Sequence, residues 1–231
     1  MKLIKISRVM PLVVMLSLTG CNDSRDSSHE FYTDFNKSTD GWMHGFSDFE
    51  PTLSEGFEFR FGVNTIPVAP DRKGFLLSAQ NRSDDLFMFL KTRLTGLTPN
   101  ERYSLHANVS FYSNGGAGCV GIGGAPGENV YLKVGHSIAE PRQIGYDLNV
   151  DKGGQSDSGR NALFIGNVAV DGIGCSGTAL GKKSVSTDNQ QPLTVETDAT
   201  GAVWVFIGTD SGFEGLTTLY YETIKLQLTP E

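Results

Sequence analysis

The polar run Asn81-Arg82-Ser83-Asp84-Asp85 lies between two apolar stretches and puts a guanidinium beside two carboxylates. Arg82, Asp84 and Asp85 are therefore candidates for a ligand-contacting loop, the alternative being a solvated turn with a local ion pair. Trp42, beside Gly41 and Met43, is either an exposed platform on which a sugar ring stacks or packing at the edge of the fold. Trp204, inside Val203-Trp204-Val205-Phe206-Ile207, is expected in the core. The segment from Asp151 to Asn161 is rich in Gly, Ser, Asp and Gln and reads as a binding edge or as simple flexibility.

Motifs for catalysis fail on their context. Gly135-His136-Ser137-Ile138-Ala139 has the outline of a nucleophile elbow, but the elbow requires a helix after the serine and Glu140-Pro141 follows instead. Asp210-Ser211-Gly212 is preceded by Thr209 and followed by Phe213, and reads as a turn. Asp147-Leu148-Asn149-Val150-Asp151-Lys152 starts like a calcium loop, yet Lys152 stands where the sharp turn needs glycine and Ser158 where a bidentate acid is required. The histidines His29, His44, His106 and His136 are scattered without zinc-ligand spacing. A carboxylate pair for glycoside hydrolysis is a tertiary property that spacing along the chain does not reveal.

The elements that must position these residues are strands. Phe57 to Phe61 and Tyr103 to Phe111 alternate apolar and polar side chains, which puts one face on a core and the other in water. Phe75 to Ala79, Leu86 to Leu94, Cys119 to Ile122, Val130 to Val134, Ile144 to Val150, Ala162 to Val170, Leu193 to Thr197, Val203 to Gly208 and Thr217 to Leu228 are further strand candidates, separated by turns rich in Gly, Asn, Asp and Pro. With 28 glycines and no sustained helical period beyond the N-terminal segment, the chain reads as all-β: an antiparallel β-sandwich of the jelly-roll type. One domain, 31–231, is expected.

The N-terminus carries an address. Lys2, Lys5 and Arg8 precede a short apolar run, Val9 to Leu18, which is shorter than a membrane-spanning helix and has the form of a cleaved export signal. It ends in Leu18-Thr19-Gly20-Cys21, which resembles the lipobox of bacterial lipoproteins. That resemblance implies a signal peptide over 1–20 and a lipid on Cys21; the alternative is an ordinary secretory signal that borders a cysteine. Two or three acyl chains hold a protein at a membrane, at about 0.8 kcal/mol per buried methylene. No later stretch approaches the roughly 18 apolar residues of a spanning helix. The implied location is the cell envelope: the outer membrane in a Gram-negative organism, where Asn22 suits outer-membrane sorting, or the outer face of the plasma membrane in a Gram-positive one. Residues 21–30 have almost nothing to bury and read as a tether.

Without residues 1–20 the chain carries 16 basic against 26 acidic residues, a formal charge of −10. Nucleic acid is excluded as a partner, since phosphate binding needs clustered Lys and Arg and the pair Lys182-Lys183 stands alone. Export, with Cys21 lipidated, leaves Cys119 and Cys175, each flanked by glycines that let backbones approach. They are expected to form a disulfide, contributing on the order of 4 kcal/mol; two buried thiols on neighbouring strands is the other reading.

Phe31-Tyr32-Thr33-Asp34-Phe35 followed by Asp40-Gly41-Trp42, the hairpin Leu94 to Tyr103, and the closing run Thr218 to Leu226 resemble the corresponding segments of carbohydrate-binding modules and galactose-binding-like β-sandwiches. The resemblance implies a non-catalytic domain that binds glycan or another extracellular polymer. It also implies a structural calcium near the two termini, for which Asp34, Asp40 and Glu222 are the matching positions, although the closing strand of that family more usually carries Asp. A structural or protein-interaction envelope lipoprotein is the alternative, and a hydrolase of polysaccharide or peptidoglycan the third reading. An exposed aromatic strip on a sheet face would favour the first, a large apolar patch the second, and two carboxyls facing each other in a cleft the third.

Overall fold

The computed structural model describes residues 28–188 and 191–231, so the export signal, Cys21 and nearly all of the tether lie outside the described residues. The described chain forms β1 (His29–Asp34), β2 (Met43–Ser47), a 3-10 helix (Pro51–Phe57), β3 (Arg60–Ile66), β4 (Ala69–Gln80), β5 (Leu86–Leu94), β6 (Arg102–Ser113) and β7 (Val130–Ser137). It continues through two short strands, β8 (Gln143–Ile144) and β9 (Asp147–Leu148), to β10 (Ala162–Asn167), β11 (Gly181–Ser186), β12 (Leu193–Glu196), β13 (Val203–Ser211) and β14 (Leu216–Pro230).

The strand order is that of one long hairpin rolled up. The outgoing arm β4 to β7 meets the returning arm β10 to β14 in the pairs β7 with β10, β6 with β11 and β12, β5 with β13, and β4 with β14. Rolling then adds β14 to β6 and β13 to β7. Two antiparallel sheets result: β11-β6-β14-β4-β3, with β1 also on β14 and β12 also on β6, and β10-β7-β13-β5-β2. This is the antiparallel jelly-roll sandwich that the sequence leads one to expect.

Alternation builds the core between the sheets. In β6, Tyr103, Leu105, Ala107, Val109 and Phe111 point inward, and in β14 Leu219, Tyr221, Ile224, Leu226 and Leu228 join them, the phase shift between Tyr221 and Ile224 being taken up by a bulge at Glu222. Strand β5 differs, because Leu86 to Thr92 is buried without a break. Its Leu86, Met88 and Leu90 enter the main core, while Phe87 and Phe89 point outward and are covered with Phe206 by a strap, residues 138–161, that contributes Leu148 and Val150. Glycines in the sheet make room for these rings: a Cβ at Gly135 would come 2.1 Å from the Phe206 ring, and one at Gly45 2.2 Å from that of Phe89.

Several expected elements shift. Phe57 closes the 3-10 helix and Glu58 is left-handed at φ 52°, so the strand begins at Arg60 instead of Phe57. Cys119 to Ile122 is irregular chain, tied to a neighbouring loop where Glu214 N–H donates to Ile122 O, and Ile144 to Val150 includes parts of two short strands within the strap. Asp210 and Ser211 continue β13, and the turn begins at Gly212. The first strand starts at His29, two residues inside the stretch read as tether. Trp204 is not core: in β13 the odd positions Val203, Val205 and Ile207 point inward, which turns Trp204 to the strap side, half-buried and 6.0 Å from the Lys91 ammonium.

Candidate functional site

The Asn81–Asp85 run forms the turn between β4 and β5 at the pole of the sandwich where β14 begins. Asn81 holds it there. Its buried amide donates to the carbonyls of Ser211 (2.7 Å) and Phe213 (3.0 Å), and its Oδ1 accepts from the Ser83 backbone N–H and hydroxyl. Arg82 Nε donates to Gly56 O at 2.8 Å and so ties the turn to the 3-10 helix, leaving the rest of its guanidinium exposed.

Between these two segments and Tyr146, from the strap, lies a groove of about 520 Å³. Phe57 and the exposed Leu53 and Tyr146 give it apolar surface, and Arg82, Glu50 and Glu55 supply donors and acceptors along its rim. Burial, followed by smaller electrostatic effects from Asp85, Asp48 and Asp147, raises the Tyr146 phenol above its ordinary value, against the hydrogen bond it shares with Ser83. A flat ring beside fixed hydrogen-bonding groups suits a polyhydroxylated ring, whose C–H face stacks while its hydroxyls bond.

Beside the groove is a depression of about 360 Å³ lined by Asp48, Asp85, Asp147, Asp151 and Lys152. Beneath it runs a buried ionic chain. Lys133 on β7 and Asp210 on β13 are both fully buried and 3.0 Å apart; Lys152 Nζ lies 2.7 Å from the same Asp210 Oδ2 and 3.0 Å from Asp48 Oδ2. Lys133 also donates to the carbonyls of Lys152, Gly153 and Asp157, and Lys91 donates to Pro141 O at 2.7 Å. Three lysines therefore pin the strap to the sheet, and the aromatic face beneath it is closed instead of presenting an exposed strip.

Burial raises the Asp85 carboxyl from 3.8 to about 6, with Lys152 opposing and Asp210 and Asp48 adding to the shift. A carboxyl that holds its proton more tightly in the fold than in the unfolded chain stabilises the fold below its unfolded pKa, and that contribution is lost as pH rises through the folded value. Stability from this group therefore falls between about pH 4 and about pH 6. Urea midpoints measured across that range are expected to show the fall in the natural chain and to lose it in Asp85→Asn; an unchanged profile in the variant would remove Asp85 as its source.

The remaining candidate residues are elsewhere. Trp42 is no stacking platform: it is 5% exposed, and its indole N–H donates to Thr33 Oγ1 at 3.2 Å, tying the chain before β2 to β1. Asp84 is exposed on the turn, at φ 59°, and its carbonyl accepts from Gln155. Cys119 and Cys175 are joined in a disulfide between two loops at the groove's pole.

The calcium set does not fit a metal. Asp34 and Glu222 do come together, but around Arg72, whose Nη2 is 3.3 Å from Asp34 Oδ1 and whose Nε is 3.1 Å from Glu222 Oε1. Lys37 and Lys182 add further positive charge to the two carboxylates, and Asp40 is exposed in a turn. Among the described residues no group of three acidic, His or Cys side chains is placed to hold a metal ion. A guanidinium thus supplies the charge that a cation would bring. Calcium and a chelator are expected to leave the thermal midpoint unchanged, whereas Arg72→Met, which strips a partner from two buried carboxylates, is expected to cost about 2–3 kcal/mol; a calcium-dependent rise in the natural chain would contradict this.

Sequence reasoning missed Tyr146, Leu53 and the buried lysines. The one local signal was Lys133 inside Val130-Tyr131-Leu132-Lys133-Val134, a charge in the middle of a strand of large apolar residues.

No family model matches the chain, and no curated protein matches it. Among solved structures it is similar to a carbohydrate-binding module of the β-sandwich superfamily (10% identity, 82% of this chain, TM-score 0.40), spanning 58% of that chain's length. It is also similar to the xylan-binding domain of Paenibacillus barcinonensis Xyn10C (13% identity, 87% of this chain and 92% of that one, TM-score 0.36). A third similar structure is the family 11 carbohydrate-binding module of a Clostridium thermocellum cellulosomal cellulase (11% identity, 86% and 94%, TM-score 0.37).

Proposed function

We propose that this chain is a lipid-anchored envelope protein whose β-sandwich binds glycan without catalysis, through the groove between the 3-10 helix, the Asn81–Asp85 turn and Tyr146. The observation that carries the reading is the make-up of that groove: an exposed tyrosine and leucine beside Arg82, Glu50 and Glu55. The layout of the strands supports it. His29, at the start of β1, pairs with Leu228 near the end of β14, whereas the groove lies at the pole where β14 begins. A lipid on Cys21 would then tether the domain by the pole opposite the groove, leaving the groove turned away from the membrane. The carboxylate pair that hydrolysis would need is not offered by Asp85 and Asp210, because Asp210 is fully buried and out of a substrate's reach.

The test is a glycan array probed with the mature chain, followed by calorimetry on any hit. Tyr146→Ala and Arg82→Ala are each expected to weaken binding about tenfold, or 1.4 kcal/mol, with the thermal midpoint unchanged in Tyr146→Ala. Absence of binding across the array would sink the glycan reading and favour a protein partner.

A further inference from the structure

We propose that Lys133 and Asp210 are joined by an isopeptide bond that the fold itself forms, clipping β7 to β13. The two residues sit diagonally on neighbouring antiparallel strands, Lys133 opposite Gly208 and Asp210 opposite Tyr131, on the face covered by the strap. Both side chains are fully buried, with Lys133 Nζ 3.0 Å from Asp210 Oδ2. Gly208 has no side chain to come between them.

The surroundings supply each role in a condensation. Taken out of water, the Lys133 ammonium is penalised, which favours the neutral amine, the nucleophile of a condensation. Backbone carbonyls of Lys152, Gly153 and Asp157 accept from Lys133 Nζ, so the two hydrogens of a neutral amine are held on the strap side and the lone pair is left for Asp210. Lys152 Nζ, 2.7 Å from Asp210 Oδ2, stabilises the negative charge that develops on that oxygen when the carbonyl carbon becomes tetrahedral. A hydrogen bond with Asp210 is among the causes that raise the Asp85 carboxyl, which places Asp85 to pass a proton to its neighbour. Asp210 Oδ1 is buried with no other donor.

The directions of the proton affinities agree with these roles. Burial lowers the Lys133 ammonium despite Asp210 beside it. Burial also works against the Lys152 ammonium, but Asp210 and Asp48 outweigh it and keep this lysine charged. Asp85, raised to about 6, is able to carry and return a proton.

The step balances as a dehydration. The Lys133 nitrogen attacks Asp210 Cγ and the N–C bond forms. Asp85 takes a proton from the nitrogen and delivers one to the departing Asp210 hydroxyl, the C–OH bond breaks, and water leaves. The amide N–H keeps a strap carbonyl as acceptor, the amide oxygen keeps Lys152 as donor, and Asp85 is regenerated. No oxidant or cofactor takes part.

The experiment is peptide mapping of the full-length protein, purified from membranes, then reduced, alkylated and digested with trypsin. Trypsin does not cut after an acylated lysine, so the bond predicts one species in which segment 103–142 is linked to segment 184–225, lighter than their sum by the mass of one water. That species is expected in the natural chain and absent from Lys133→Arg and from Asp85→Asn, whose amide cannot relay the proton. Recovery of 103–133 and 184–225 as separate peptides from the natural, folded chain would overturn the proposal. A linked peptide that persists in Asp85→Asn would overturn the relay assigned to Asp85.

Discussion

Asp210→Ala is expected to lower folding stability by about 3–5 kcal/mol, because it removes the clip between β7 and β13 and leaves Lys133 and Lys152 buried without the oxygen they share. Lys133 is 0% exposed and keeps only the strap carbonyls, and Lys152 keeps only Asp48. For a domain of this size such a loss lowers the thermal midpoint by roughly 10 °C or more. The damage should be local first. Lys133 and Lys152 are the posts to which the strap is tied, so amide exchange in residues 138–161 is expected to speed up before exchange in β6 or β14 does. Replacing Lys133 and Asp210 together, as Lys133→Met with Asp210→Leu, is expected to recover part of the stability, since apolar side chains of similar volume pack against Phe87 and Phe89 while Lys152 keeps Asp48. A loss below about 1 kcal/mol in Asp210→Ala would mean that the two lysines find other partners and that neither the clip nor the ionic chain is what holds the strap.

That chain also shows why the architecture was more legible than the site. A strand declares itself through its own neighbours. Alternation along Tyr103 to Phe111 and along the closing run is a local property, and both segments became the long central strands of one sheet. Edge strands give less signal: Gly181–Ser186 has one large apolar residue, Val185, and Met43–Ser47 is interrupted by the glycine that accommodates Phe89, so neither showed a period. Leu86-Phe87-Met88-Phe89-Leu90 did record burial on both faces, the mark of a strand covered on each side, but what covers the second face comes from a strap some 50 residues away.

The site depends on such distant meetings. Arg82 and Asp85 could be picked out as polar residues between apolar strands, and the fold does place them at the groove and at the depression beside it. Tyr146 could not, because its neighbourhood in sequence, Ile144 to Val150, looks like an ordinary strand. Trp42 stood between an exposed platform and packing at the edge of the fold, and what decides for packing, Thr33 accepting its N–H, lies on another strand. Asp34 and Glu222 were correctly seen as a pair near the termini, but the residue that decides what they hold, Arg72, lies on β4 and belongs to neither terminus.

Removing the disulfide with Cys119→Ser and Cys175→Ser is expected to cost on the order of 4 kcal/mol, the loop-closure entropy for the 56-residue separation of the two cysteines. The native loops should keep their arrangement without it. Gly116 and Val170 form a backbone bridge, Ala117 N–H donates to Val170 O at 2.9 Å and Val170 N–H to Gly115 O at 2.8 Å, and Gly118 N–H donates to Glu128 Oε1 at 2.7 Å. The loss should therefore fall on the unfolded chain, whose freedom increases, and little on the folded one. Two measurements separate these terms. Urea unfolding should show a lower midpoint with a steeper dependence on denaturant, because the uncrosslinked chain exposes more surface, while any ligand bound at the groove should retain its affinity. A weaker ligand affinity with little change in midpoint would place the disulfide's contribution in the folded state, as a brace for the pole that carries the groove.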